Sequence, residues 1–87
     1  MTWGYEHSFS KEDTVKEEVK IDFPWTAREI RIFNDDKKEL EWRFQPDEVW
    51  GIIKKGETLV VSNVCLLSLY LRSGDNKQKK YRLIAFT

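Results

Sequence analysis

One histidine, one cysteine and fifteen carboxylates are the side chains here that could support catalysis or hold a metal. His7 stands alone, so one chain can build neither a histidine-rich metal cluster nor a His-based triad. It reads as a partly exposed structural residue. Cys65 has no partner for an internal disulfide and lies in the apolar run VCLLSLYL, which reads as a buried, inert thiol. None of the carboxylates stands in an apolar stretch that would raise its pKa for acid–base work. Asn34-Asp35-Asp36 has turn chemistry, and a calcium loop needs more oxygen ligands at closer spacing. The sequence therefore leads us to expect no catalytic, cofactor-binding or metal-binding residue.

Two patterns could bind rather than react. Lys77, Lys79, Lys80 and Arg82 form a basic cluster around Tyr81, the composition of an oligonucleotide-binding patch. The same residues also suit a solvated tip that discourages edge-to-edge aggregation, and this is the reading preferred. The four tryptophans could stack on sugar rings, which would make a carbohydrate- or receptor-binding module the alternative function. A packed core or a protein interface is the simpler use of Trp3, Trp25, Trp42 and Trp50.

The bulk numbers narrow the classes further. Fifteen basic residues balance fifteen acidic ones, so no net field favours nucleic acid or an anionic membrane. No run approaches the roughly 20 apolar residues of a membrane span, and the N-terminus has no signal-like apolar stretch. A soluble protein assembled in a cytoplasm is expected. Eighty-seven residues make a single domain. A chain of this size buries only about 60–65% of its unfolded surface, and association is a common remedy for a small core.

The elements that must carry these residues read as strands. Residues 1–13 form an arm or short strand, with Trp3, Tyr5, His7 and Phe9 on alternate positions. Residues 10–20 mix helix cues (Ser10 with Asp13, Val15 with Val19) with the strand parity of Val15, Val19, Ile21 and Phe23. A strand over 14–23 is preferred, with residues 14–87 forming the body of the domain. AREIRIF and ELEWRF then pair as a hairpin across NDDKK. Ile32 faces Leu40, Ile30 faces Trp42, Arg31 faces Glu41 and Glu29 faces Arg43. Gly51 marks a bulge or a close-packing point, and Lys54-Lys55-Gly56-Glu57 turns VWGII into TLVVS as a second hairpin. The last hairpin pairs LLSLYLRS with YRLIAF across Gly74-Asp75-Asn76 and sets Leu71 against Tyr81. Leu67, Leu69, Leu71, Leu83 and Ala85 fill one face of it, and Leu66, Tyr70, Ile84 and Phe86 occupy the other. Strands spaced about ten residues apart indicate an all-β fold, a small antiparallel sandwich or barrel of about seven or eight strands. A ribbon apolar on both sides needs a cover. The expected interface comprises Trp3, Tyr5 and Phe9 from an arm held by a neighbour, with Leu66, Tyr70, Ile84 and Phe86.

From Thr26 onward, the segments TAREIRIFND, LEWRF, VWGIIKKGETL, LYLRS and YRLIAF resemble, in that order, a group of small structural proteins of tailed bacteriophages. These decorate the capsid or form head- and tail-associated fibres. The first 25 residues lie outside the resemblance. It implies a non-enzymatic β-sandwich, assembled in the host cytoplasm and residing in the virion. It also implies a homo-oligomer, often a trimer, in contact with capsid, tail or portal proteins. It carries over no catalytic residue.

Overall fold

A computed structural model of the chain describes residues 8–87, and every regular element in them is a strand. These are β1 (Ser8–Val15), β2 (Val19–Asn34), β3 (Leu40–Arg43), β4 (Gly51–Ile53), β5 (Thr58–Arg72) and β6 (Lys79–Phe86). They form one antiparallel sheet in the order β1-β6-β2-β5-β3-β4, curled into a half-barrel. The all-β class is as expected from the sequence. Among the described residues there are six strands rather than seven or eight, because β2 and β5 are long and each does the work of two shorter ones.

The curl originates in β2. Ile21 and Phe23 are buried in its first half, and Ile30, Ile32 and Asn34 in its second, so the inward-facing parity changes along the strand. The pairing with β5 shifts register twice, between Asp22 and Ala27 and between Ala27 and Glu29. Pro24, which has no N–H for a ladder bond, lies inside this gap. β5 has its own break at Asn63, whose φ of 58° bends the strand between Ser62 and Leu66. Irregularities of this kind increase local twist and turn a strand over. One hydrophobic cluster thereby receives Ile21 and Phe23 from one half of β2, Ile30 and Ile32 from the other, and Leu69, Leu71, Leu83 and Ala85 from its neighbours.

The connections are tied together at one end. Asn34 is 2% exposed. Its amide donates to the carbonyls of Lys38 (2.8 Å) and Ile53 (2.9 Å), and its side-chain oxygen accepts from the N–H of Asp36 at 3.0 Å. Its own N–H donates to the Glu57 carbonyl at 3.1 Å, and its carbonyl accepts from the N–H of Gly56 at 3.2 Å. Lys79, 3% exposed, adds a second knot. Its ammonium donates to the carbonyls of Glu39 and Ser73 and lies 3.3 Å from the Asp75 carboxylate.

All three expected hairpin pairings are corrected. β2 lies between β5 and β6 rather than beside β3, so Ile30 faces Val61 and Ala85, and Ile32 faces Leu59 and Leu83. β4 pairs with β3, not β5. β6 lies between β1 and β2, so Leu71 faces Val19 and Trp42, while Tyr81 faces Asp13 and Asn34. The charges that favoured the first hairpin have other partners. Glu29 pairs with Arg31 at 2.7 Å, Arg43 with Glu18 at 2.8 Å and Arg72 with Glu41 at 2.5 Å. The turn residues were read correctly even where the pairing was not: Gly56, Gly74 and Asn76 all have positive φ. The strand expected over 14–23 is interrupted at residues 16–18, where β1 gives way to β2. Cys65 is exposed, not buried, because it falls in the bent part of β5 just after Asn63.

Gly51 is a close-packing point. A Cβ there would lie 2.6 Å from Nε1 of Trp42, its cross-strand partner. Gly51→Ala is expected to destabilise the protein by about 1–3 kcal/mol through overpacking. Gly56→Ala, with open space around it but a φ of 71°, should lose only about 1 kcal/mol through backbone strain. Asn34→Ala removes the donor to two carbonyls and should cost about 2–3 kcal/mol. Urea unfolding of the three variants measures all of these; an Asn34→Ala midpoint equal to wild type would show that the knot does not hold the turns.

Candidate functional site

The side chains form two distinct surfaces. The first is the outer face of β1, β6, β2 and β5. Strand alternation turns Tyr81, Leu83 and Ala85 inward and leaves Arg82, Ile84 and Phe86 outside. Ile84 faces Ser10 on one side and Arg31 on the other, and Arg31 in turn faces Val60, which is 54% exposed. Two arginines partly roof this apolar stripe. The Arg31 guanidinium lies 5.3 Å from the Phe86 ring centroid, and that of Arg82 lies 4.6 Å from the Phe33 ring. Arg82 is fixed by both oxygens of Asp35, at 2.6 and 3.0 Å, a paired geometry that raises its pKa. Arg31 is held by Glu29, itself buried and also within 3.3 Å of the Ser62 hydroxyl.

The second surface lies at the knotted end. The connection after β2 supplies Lys37 and Lys38, the one after β4 supplies Lys54 and Lys55, and Lys79 begins β6. These five lysines line a cavity of about 580 Å³ with Glu39, Glu41, Ile52, Ser73, Gly74 and Asp75. Backbone N–H groups of Lys37 and Lys80 hold the Asp36 carboxyl below the usual carboxylate range. Partial burial pushes Asp75 up, but the Lys77 N–H and the Lys79 ammonium outweigh it, and its pKa is also lowered.

The three described tryptophans, Trp25, Trp42 and Trp50, are engaged by their own chain. Trp42 and Trp25 pack half-buried against the core, and Trp42 contacts Phe44 with ring centroids 4.8 Å apart. Trp50 receives the guanidinium of Arg43 at 4.1 Å and that of Arg72 at 4.2 Å from its ring centre. Those arginines are paired with Glu18 and Glu41, so a charged, stacked network covers the outer side of β3 and the end of β5.

The expected interface residues are only partly gathered. Trp3 and Tyr5 lie outside the described residues, as does His7. Phe9 packs edge-on against Phe23 of its own chain at 6.1 Å, and the described part of the arm pairs along β6. Leu66 packs against the core. Tyr70 is half-buried on the outer side of the second half of β5, opposite β3, with its ring centroid 5.9 Å from the Arg43 guanidinium. Ile84 and Phe86 share the outer face. The basic cluster Lys77, Lys79, Lys80 and Arg82 does not form one patch, because Lys79 is buried and Arg82 is spent on Asp35 and Phe33. The Lys37-Lys38 and Lys54-Lys55 pairs were visible in sequence only as turn residues. Their convergence depends on Asn34. Among the described residues no group of three His, Cys, Asp or Glu side chains could hold a metal ion. Comparison with protein-family models finds no match, and comparison with curated proteins finds none either.

Burial, with a smaller effect of the Asp13 carboxylate, pushes the Tyr81 hydroxyl from 10.0 up to about 12. The neutral phenol is favoured in the fold, so its contribution is fully present below pH 10 and is lost as pH rises towards 12. Unfolding free energy should therefore fall across that window in wild type and fall less in Tyr81→Phe. Identical alkaline profiles for the two proteins would refute this assignment.

Proposed function

We propose that this chain is a non-enzymatic structural protein that works by associating with copies of itself and with other proteins, as a component of a bacteriophage virion. Capsid decoration or a head- or tail-associated position is the role inferred from the resemblance. The observation that carries the associative part is the outer face of β6, β2 and β5. There Val60, Ile84 and Phe86 form an apolar stripe crossed by two fixed arginines. Apolar residues with stacked arginines between them are the composition of an interface centre. A copy laid across this face would supply the second layer of the expected sandwich. Ile84 and Phe86 keep the interface role given to them from sequence, whereas Phe9 and Leu66 serve the monomer's own core. The carbohydrate-binding alternative is disfavoured, since Trp25, Trp42 and Trp50 are packed or stacked within the chain.

Sedimentation across a dilution series tests the reading. The wild-type protein is expected to sediment as an oligomer, a trimer in the preferred case. Val60→Glu and Ile84→Glu should each yield a folded single chain, because both side chains lie on the outside of the sheet. A wild-type protein that is a single species of one chain at every concentration would refute self-association. Unchanged oligomers in both variants would move the interface elsewhere.

A further inference from the structure

The lysine-lined cavity is not used by an associating outer face, and its charge balance is unusual. Two of its three carboxylates are already neutralised, Asp75 by Lys79 and Glu41 by Arg72. None of Lys37, Lys38, Lys54 and Lys55 makes an ion pair with a described residue. Four lysines of the lining are thus left with one lining carboxylate outside an ion pair, Glu39, in a protein whose formal net charge is zero. The excess is therefore local, created by the fold and not by the composition. Like charges gathered in a concavity repel one another and concentrate anions.

The backbone under these lysines is fixed. Asn34 bonds the Lys38 and Ile53 carbonyls, and Lys79 bonds the Glu39 and Ser73 carbonyls from within the floor of the cavity. The lysine side chains are long and can adjust, while their points of attachment cannot drift apart. Against the opposing effect of burial, the Lys77 N–H and the nearby charges of Lys79 and Lys38 hold the Asp75 carboxyl, which lines the cavity, below its ordinary pKa.

Lysine is a compact, rotatable point charge well suited to phosphoryl oxygens. The cavity, at about 580 Å³, has room for several linked groups. No aromatic side chain lines it, so a nucleobase would find no stacking platform there. We propose that this cavity binds a compact polyphosphate, a short chain of linked phosphoryl groups, either free or as the tail of a nucleoside triphosphate.

Titration calorimetry of the full chain with tripolyphosphate, ATP and a mixed-sequence single-stranded oligonucleotide tests this. Tripolyphosphate should bind saturably, one per chain, and weaken as salt is raised. The paired variants Lys37→Gln/Lys38→Gln and Lys54→Gln/Lys55→Gln should each weaken binding by about tenfold or more. Lys77→Gln/Lys80→Gln, at residues that do not line the cavity, should leave it unchanged. Equal affinity for ATP and tripolyphosphate would assign recognition to the phosphoryl chain alone, whereas tighter ATP binding would make a nucleotide the ligand; either supports the proposal. It is overturned if tripolyphosphate shows no saturable binding, if all three paired variants lose affinity equally, or if the oligonucleotide binds more tightly than either small anion. These outcomes do not depend on oligomeric state, so they stand apart from the association reading.

Discussion

The structure depends on β2 presenting opposite parities at its two ends. A strand of sixteen residues that kept one face inward would make a flat ribbon with a core on one side. Here Ile21 and Phe23 point inward before the shift, and Ile30 and Ile32 point inward after it. Both sets can enter one cluster only if the sheet turns over between them. The double register shift around Ala27, matched by the left-handed Asn63 in β5, produces that turn. The half-barrel, the closeness of the connections at one end and the grouping of lysines there all follow from it.

That constraint also explains why strand order was harder to read than strand identity. Arg31 with Glu41 and Glu29 with Arg43 made a persuasive cross-strand pattern, yet each of these charges is satisfied differently in the fold. Cross-strand pairs contribute roughly 0.2–1 kcal/mol each, too little to outvote the burial of a whole strand. Ile30 and Ile32 are equally satisfied by Val61 and Leu59 as by the residues first assigned to them. Parity on β6, by contrast, is legible: Tyr81, Leu83 and Ala85 are inward and Ile84 and Phe86 outward, because alternation depends on the backbone pleat and not on which neighbour is chosen. On β5 it fails before Leu69, where Leu66 packs against the core and Leu67 is 66% exposed, the reverse of the expected faces, in the stretch that follows the bend at Asn63.

The candidate surfaces divide in the same way. Ile84 and Phe86 could be singled out from sequence because they lie on one strand and share one face. The lysine cavity could not, since its lysines come from two connections and the start of β6, and the two connections are tied together by one buried asparagine. Cys65 and Leu67 show the opposite error: an apolar run suggests burial, but both are exposed in the part of β5 that follows the bend at Asn63.

The pairing of β1 with β6 joins the first described residue to the next to last, Ser8 opposite Phe86. During synthesis β1 is made before β6 and has no partner in this sheet until β6 leaves the ribosome. The long β2 meanwhile waits with one edge unfilled. Closing such distant contacts is slow, and unpaired edges are prone to aggregate in the interval. The polar and charged stretch of β1, SKEDT, is poorly suited to edge-to-edge pairing with another chain, which is the property an unpaired strand needs in that interval.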